Sequence, residues 1–284
     1  MPELATARGT LIQEASDRLR RAGVPEPRRQ ALRIWAELNQ AAPADALLAR
    51  DSDQGPAGAA RYQHAIERRA SGEPLPHVTG WSGFRQLSLR SDGRALIPRP
   101  ETEGLVDLLL DRVRLGRVVD VGTGSGCIAL SLALEGSFTQ VVGVDHSSDA
   151  LALAGENREL VGARVELVRG DLCAALRAGA FDALISNPPY LTVAEYAGLH
   201  PSVRDWEPAI ALESGEDGLE TTARLLDEGR VALRAGGWLA LEVDCSRARS
   251  AAHLASSLGW EDVKIQVDLF GRERYLLARR SITR

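Results

Sequence analysis

Arg117-Val118-Val119-Asp120-Val121-Gly122-Thr123-Gly124-Ser125-Gly126 is the stretch that decides the fold. Its first half is a short run rich in valine, which reads as a buried strand, and its second half is a glycine-rich turn. Cys127 to Leu134 then reads as a helix, Gln140 to Val144 as a second strand ending at Asp145, and Ser148 to Leu160 as a second helix. Arg164 to Val168 is a third strand ending near Asp171, and Phe181 to Ile185 a fourth that delivers Asn187. Beyond it the pattern predicts a helix over Leu219 to Leu233, a strand Trp238 to Val243 and a helix Arg247 to Leu258. Val263 to Val267 and Tyr275 to Ala278 close the set, antiparallel because the Asp268-Leu269-Phe270-Gly271-Arg272 connection is short. Strands alternating with helices predict an α/β fold with a parallel-dominated sheet covered by helices.

The chain before this region has a different period. Leu4, Leu11, Ile12, Ala15 and Leu19 recur at helical spacing over residues 3–22, and a second helix is expected from Pro27 to Asn39. Pro43 to Ala49 and Gly58 to Ala70 complete a small domain of about four helices, in which Trp35 is expected to pack in the core. Val78-Thr79-Gly80-Trp81, Gln86-Leu87-Ser88-Leu89 and Ala95-Leu96-Ile97 then read as short extended pieces, with a turn at Ser91-Asp92-Gly93. The expected organisation is a helical domain over residues 1–74, a β-hairpin linker over 75–100 and the α/β domain over 101–284. A helix from Glu103 to Val113 should open that last domain, with Thr102 as its N-cap and Glu101 and Glu103 at its positive end.

Composition bounds the function. The 284 residues are 44% hydrophobic and 26% charged, which marks a globular chain. A net charge of -5 gives no overall basic field to draw the chain to nucleic acid or an anionic membrane. Nearly all the positive charge is arginine, since Lys264 is the sole lysine. The widely spaced Cys127, Cys173 and Cys245 lack metal-ligand spacing, so no metal is expected and a reducing cytoplasm fits best. No leader-like segment or membrane-spanning apolar run is visible.

The chemistry gathers at the strand ends, where open α/β sheets bind ligands. Gly122 to Gly126 let a ligand lie against bare backbone, and a carboxylate at Asp145 suits the two hydroxyls of a ribose. Asp171 and Leu172 follow the third strand, where an adenine ring would lie. A nicotinamide dinucleotide calls for a Gly-x-Gly-x-x-Gly turn, yet Cys127 stands where its last glycine belongs. The pattern favours S-adenosylmethionine, which has no pyrophosphate to cradle.

Ile185-Ser186-Asn187-Pro188-Pro189-Tyr190 ends the fourth strand. The Asn187 amide offers a donor and an acceptor, proline cannot donate and so leaves nearby carbonyls free, and Tyr190 adds a flat face with a polar tip. Such a pocket could hold a planar group carrying an NH2 for alkylation at nitrogen. The bland alternative is a turn that merely stops a strand.

With these residues in view, the chain closely resembles the HemK/PrmC family of peptide chain release factor glutamine methyltransferases. The resemblance covers nearly the whole chain. It rests on Gly72-Glu73-Pro74 with Gly80, Leu96-Ile97-Pro98-Arg99-Pro100-Glu101-Thr102-Glu103, Asp120-Val121-Gly122-Thr123-Gly124-Ser125-Gly126 and Ser186-Asn187-Pro188-Pro189-Tyr190. Glu207-Pro208, Asp217-Gly218-Leu219, Gly236-Gly237 and the Asp268 to Arg272 segment extend it. It implies a Rossmann-like class I S-adenosylmethionine-dependent methyltransferase domain, in a cytoplasmic and monomeric protein. The implied acceptor is the side-chain amide nitrogen of the glutamine in the Gly-Gly-Gln loop of class 1 release factors. By position, Gly122, Thr123, Gly124, Ser125, Gly126, Asp145, Leu172 and Asn187 would contact the cofactor. Asn187, Pro188, Pro189 and Tyr190 would contact the glutamine, with Asn187, Pro188 and Tyr190 in the catalytic role.

Two positions depart from the family: Leu172 stands where a tryptophan is frequent, and Glu242-Val243-Asp244 replaces a usual Glu-Ile-Gly. The Asn-Pro-Pro-Tyr signature is shared with adenine and cytosine amino-methyltransferases, which leaves nucleic acid as the rival substrate. That rival would need a basic groove, for which Arg20, Arg21, Arg28, Arg29 and Arg33 are the candidates. A solvated face, or a surface for an acidic partner, is the plainer reading of those arginines.

Overall fold

The computed structural model describes residues 8–41 and 55–282, so the expected helix at Pro43 to Ala49 lies outside the described residues. By contacts the chain divides into a smaller unit, Met1–Trp81 with Pro201–Trp206, and a larger one, Ser82–His200 with Glu207–Arg284.

In the smaller unit, α1 (Arg8–Arg21), α2 (Pro27–Leu38) and α3 (Gly55–Ala70) enclose a core that includes Leu11, Leu19, Ile34, Trp35, Tyr62 and Ile66. Trp35 is a core residue, and the Tyr62 hydroxyl donates to the Ala31 carbonyl at 2.9 Å. The arginines on the outer faces have acidic neighbours, with Arg20 on Asp17, Arg29 on Glu26 at 3.0 Å and Arg33 on Glu37 at 4.0 Å. These three ion pairs lie on a solvated surface, and Arg21 donates to the Asp17 carbonyl at 3.3 Å. Val78 and Thr79 are helical, not extended, because Leu75–Thr79 forms the short helix α4, started by Pro76 and ended by Gly80 at φ 79°.

The hairpin β1 (Trp81–Phe84) and β2 (Leu87–Arg90) comes next, all but Trp81 within the larger unit, so its turn is Arg85-Gln86 and not Ser91-Asp92-Gly93. Arg85 sits at φ 53° and is tied down by its own side chain, which donates to the Glu103 carbonyl, Asp107 and Glu135. That tertiary anchor substitutes for the glycine or asparagine such a turn prefers. Ala95 to Ile97 joins no strand either; the Ile97 N–H goes to the Glu207 carboxylate at 2.9 Å. Helix α5 (Pro100–Leu110) begins earlier than expected because Pro100 is set for the first helical position. Arg99 is therefore the N-cap, and Thr102 lies buried inside the first turn.

The rest is a seven-stranded sheet built from β3 (Leu115–Val121), β4 (Ser137–Asp145), β5 (Glu166–Arg169), β6 (Phe181–Ser186), β7 (Leu233–Glu242), β8 (Trp260–Val267) and β9 (Glu273–Arg280). Its order is β5-β4-β3-β6-β7-β9-β8; the first five strands are parallel and β9 is antiparallel to both neighbours. Alternate residues feed two cores. Val119, Val121, Leu184 and Leu239 pack with α10 (Glu220–Ala232) and α11 (Ala248–Ser257), while Val118, Ala183, Ile185 and Ala240 pack with α5 and α6 (Cys127–Glu135). Helix α7 (Ser148–Val161) follows β4, its N-cap Ser147 accepting from the Ala150 N–H at 3.2 Å. The connection after β6 carries two one-turn helices, α8 (Val193–Ala197) and α9 (Pro201–Arg204).

The strand order reverses direction between β3 and β6, which opens a crevice beyond their carboxyl ends. Among the described residues no helix is long and apolar enough to cross a membrane.

Candidate active site

A cavity of about 340 Å³ fills that crevice. Its lining brings together the predicted Gly122, Thr123, Gly124, Ser125, Asp145, Leu172, Asn187 and Pro189 from four strand ends. Gly126, Pro188 and Tyr190 fall outside that lining. Pro188 is buried, and Tyr190 turns toward Glu242.

The glycine turn is a backbone device. Gly122, Gly124 and Gly126 have φ of 73°, 54° and 84°, a region that a side chain disfavours. A Cβ on Gly126 would also lie 3.2 Å from Leu130 and 3.3 Å from Ala154. The N–H groups of Gly122 and Thr123 both donate to the Val144 carbonyl, at 2.8 and 2.9 Å. Asp145 completes the cradle: Oδ2 accepts from the Gly124 N–H at 2.8 Å and Oδ1 from the Ser147 N–H at 2.9 Å. Each oxygen retains a further acceptor site, as a ribose diol requires.

Beneath the turn, Asp120 Oδ2 accepts from the Thr123 hydroxyl at 2.6 Å and the Ala129 N–H at 3.1 Å, while Oδ1 has no partner. Complete burial pushes this carboxyl up to about 7. After β5, Leu172 holds φ 47°, unusual for a side chain of its size. Its loop is fastened to α10: the Cys173 N–H donates to Glu228 at 3.0 Å, and Arg224 donates to Asp171 at 2.9 Å and to Glu228 at 3.1 Å.

The acceptor side is built by strand period and register. Ala183, Ile185 and Asn187 alternate onto the α5 face, as do Ala240 and Glu242 on β7. Ser186 pairs with Leu241, which sets Asn187 beside Glu242. Thr102 of α5 lies between them, donating its hydroxyl to Glu242 Oε2 at 2.7 Å and accepting from Asn187 Nδ2 at 3.1 Å. The Tyr190 hydroxyl is 3.5 Å from Glu242 Oε1, and Arg274 Nη1 is 3.9 Å from the same oxygen. Burial raises both Glu242 and Tyr190 above their ordinary values; the Thr102 hydrogen bond and Arg274 oppose it at Glu242. A second buried acid, Glu207, ties the wall above the cavity together. It accepts from the Ile97 N–H at 2.9 Å and from Arg99 at 2.6 Å.

Thr102, Glu242, Arg274 and the Glu207–Arg99 pair are thus parts of the site that sequence reasoning did not place there. Glu242 carried a usable signal, an acid ending an apolar strand as Asp145 does. Thr102 lies in the Leu96 to Glu103 segment that carries the family resemblance, but its neighbours read locally as an ordinary helix cap.

Comparison with known proteins agrees with this geometry. Residues 101–198 match the methyltransferase small domain family. The crystal structure of a methyltransferase from Pyrococcus furiosus superposes with a TM-score of 0.54 at 19% identity, covering 78% of this chain and 98% of that one. Fold and site therefore define a Rossmann-like class I methyltransferase whose cofactor is S-adenosylmethionine. The cradle fits that group: bare backbone at the turn, and at Asp145 a carboxylate with an acceptor site left on each oxygen, which suits a diol. Residues 10–80 match the PrmC N-terminal domain. The release factor glutamine methyltransferase of Deinococcus radiodurans is 44% identical over 278 residues, 95% of this chain and 98% of that protein. That of Nitratidesulfovibrio vulgaris is 39% identical over 285 residues, 98% and 96% of the two chains. This chain belongs to the release factor glutamine methyltransferase family.

Proposed function

We propose that this protein methylates the side-chain amide nitrogen of the glutamine in the Gly-Gly-Gln loop of class 1 release factors, in support of translation termination. The observation that carries the reading is the position of Asn187, which lines the cofactor cavity while its Nδ2 is already engaged by Thr102. Its Oδ1 is left to accept an N–H of a planar amide. Bound S-adenosylmethionine supplies an electrophilic methyl on a sulfonium.

An amide nitrogen is a weak nucleophile because its lone pair is delocalised into the carbonyl. Asn187 Oδ1 and the Pro188 carbonyl accept the two N–H bonds, holding the nitrogen in line and stabilising positive charge as it develops. Tyr190 and Pro189 flank the amide plane. The surplus proton leaves after transfer, with no side chain assigned to take it. Gly122 to Ser125, Asp145 and Leu172 hold the cofactor, and Gly126 lets the turn close against Leu130 and Ala154. The smaller unit recognises the release factor, because one glutamine side chain is too small a feature for selectivity. The protein works as a cytoplasmic monomer.

The test is transfer from methyl-labelled S-adenosylmethionine to purified release factor, beside a copy whose loop glutamine is alanine and a nucleic-acid control. Label only in the intact factor supports the reading. Label in nucleic acid would replace it with the amino-methyltransferase of a base, a use that the net charge of -5 does not favour.

A further inference from the structure

The acceptor residue Asn187 can present two different faces to a substrate, an oxygen that accepts or an NH2 that donates, and only one suits an amide N–H. Nothing in Asn-Pro-Pro-Tyr itself selects between them. The neighbours do. Glu242 sits at the end of β7 with its side chain 1% exposed; Arg274 and the Tyr190 hydroxyl, 3.9 and 3.5 Å from its Oε1, favour its carboxylate form against the pull of burial, and in that form it only accepts hydrogen bonds. The Thr102 hydroxyl must therefore spend its hydrogen on Glu242 Oε2, 2.7 Å away. Its oxygen is then left as an acceptor, and the Asn187 group 3.1 Å from it must be the NH2.

We infer that Glu242, acting through the Thr102 hydroxyl, sets the amide orientation of Asn187 and so makes it an acceptor for the substrate amide. The chain is directional: carboxylate, hydroxyl, NH2, with Asn187 Oδ1 at its free end. Glu242 and Thr102 are positioning residues, since neither is required to touch the glutamine. Arg274 steadies the far side of the carboxylate, 3.9 Å from Oε1, and is itself anchored by Asp268 at 2.8 Å. Reversing the first link reverses the last. If residue 242 donated to the Thr102 oxygen, the hydroxyl would be free to donate to Asn187 Oδ1, and the NH2 would face the acceptor.

This inference rests on the glutamine reading of the pocket, and its test has one arm that does not depend on that reading. In the first arm, the Asn187 side-chain NH2 is followed by 15N-resolved NMR without any release factor. Slow exchange of one of its two protons is expected in the parent protein and in Thr102→Ser, which keeps the hydroxyl. Loss of that protection is expected in Thr102→Val. In the second arm, turnover is measured on release factor with cofactor affinity measured separately. Thr102→Val and Glu242→Gln should each lower kcat by about tenfold or more, while S-adenosylmethionine affinity stays within about twofold, and Thr102→Ser should recover most of the loss.

Thermal melting accompanies each variant, so that Thr102→Ser, the smallest change, decides the matter if Thr102→Val does not fold. Thr102→Ser as impaired as Thr102→Val, or Asn187 protons equally protected in all variants, would overturn the inference. Protection following the hydroxyl while the parent leaves release factor unlabelled would uphold the positioning role and remove the glutamine reading instead.

Discussion

Asp145 accepts the backbone N–H of Gly124 across 2.8 Å, so the acid that ends β4 and the glycine turn that follows β3 form a single cradle. The carboxylate is thereby oriented by the loop it helps to hold, with Ser147 fixing its other oxygen at 2.9 Å. Its replacement should act on the cofactor before it acts on chemistry. Asp145→Ala is expected to weaken S-adenosylmethionine binding by about 1.5–3 kcal/mol, the usual worth of a hydrogen bond to a charged group. Isothermal titration checks it; unchanged affinity would remove the ribose assignment.

Asn187→Ala should show the opposite signature. A preorganised acceptor of the developing charge is removed, costing the barrier about 2–4 kcal/mol. Single-turnover transfer to release factor reads that loss directly. Full turnover in the variant would mean that the amide is held elsewhere.

Glu207→Ala should be mainly a stability change. The carboxylate is 1% exposed and satisfies both the Ile97 N–H and Arg99, which is itself one-third exposed and can rehydrate. Leaving a buried N–H without a partner and breaking the pair should cost about 2–4 kcal/mol. Urea unfolding would report it as a lower midpoint with an unchanged slope.

Asp120 predicts a pH dependence. Its carboxyl is held at about 7 in the folded protein against an ordinary 3.8, so between those values the folded state carries more protons than the unfolded chain. Stability from this group is then fullest below its ordinary value and declines as pH rises toward about 7, by at most about 1.4 kcal/mol per pH unit. Asp120→Asn, which stays uncharged, should flatten the decline in a series of unfolding curves from pH 4 to pH 8. An identical slope in the variant would show that another group governs it.

Much of this site is legible in the sequence. Gly122 to Gly126, Asp145 and Asn187 are read correctly as strand-end residues because period-two strands and glycine turns are local features, carried by residues within a few positions of one another. The hairpin turn was misplaced for the converse reason. Arg85-Gln86 has no turn chemistry of its own, and Arg85 is held in place by Glu103, Asp107 and Glu135 from later in the chain. Thr102 was misread as a cap because Pro100, two residues earlier, already starts the helix. Its true partners, Glu242 and Asn187, come from two other strands.

The sequence alone determined the alternation of strands and helices from β3 onward, the glycine turn after β3 and the placing of Asp145 and Asn187 at strand ends, since each is written in contiguous residues with a fixed local geometry. The tertiary structure alone decided how those pieces are oriented. Strand register places Glu242 beside Asn187, α5 inserts Thr102 between them, and Glu207 joins Ile97 to Arg99. Hydrogen-bond direction inside a buried site depends on which groups are brought together from distant parts of the chain, and no local pattern records that meeting.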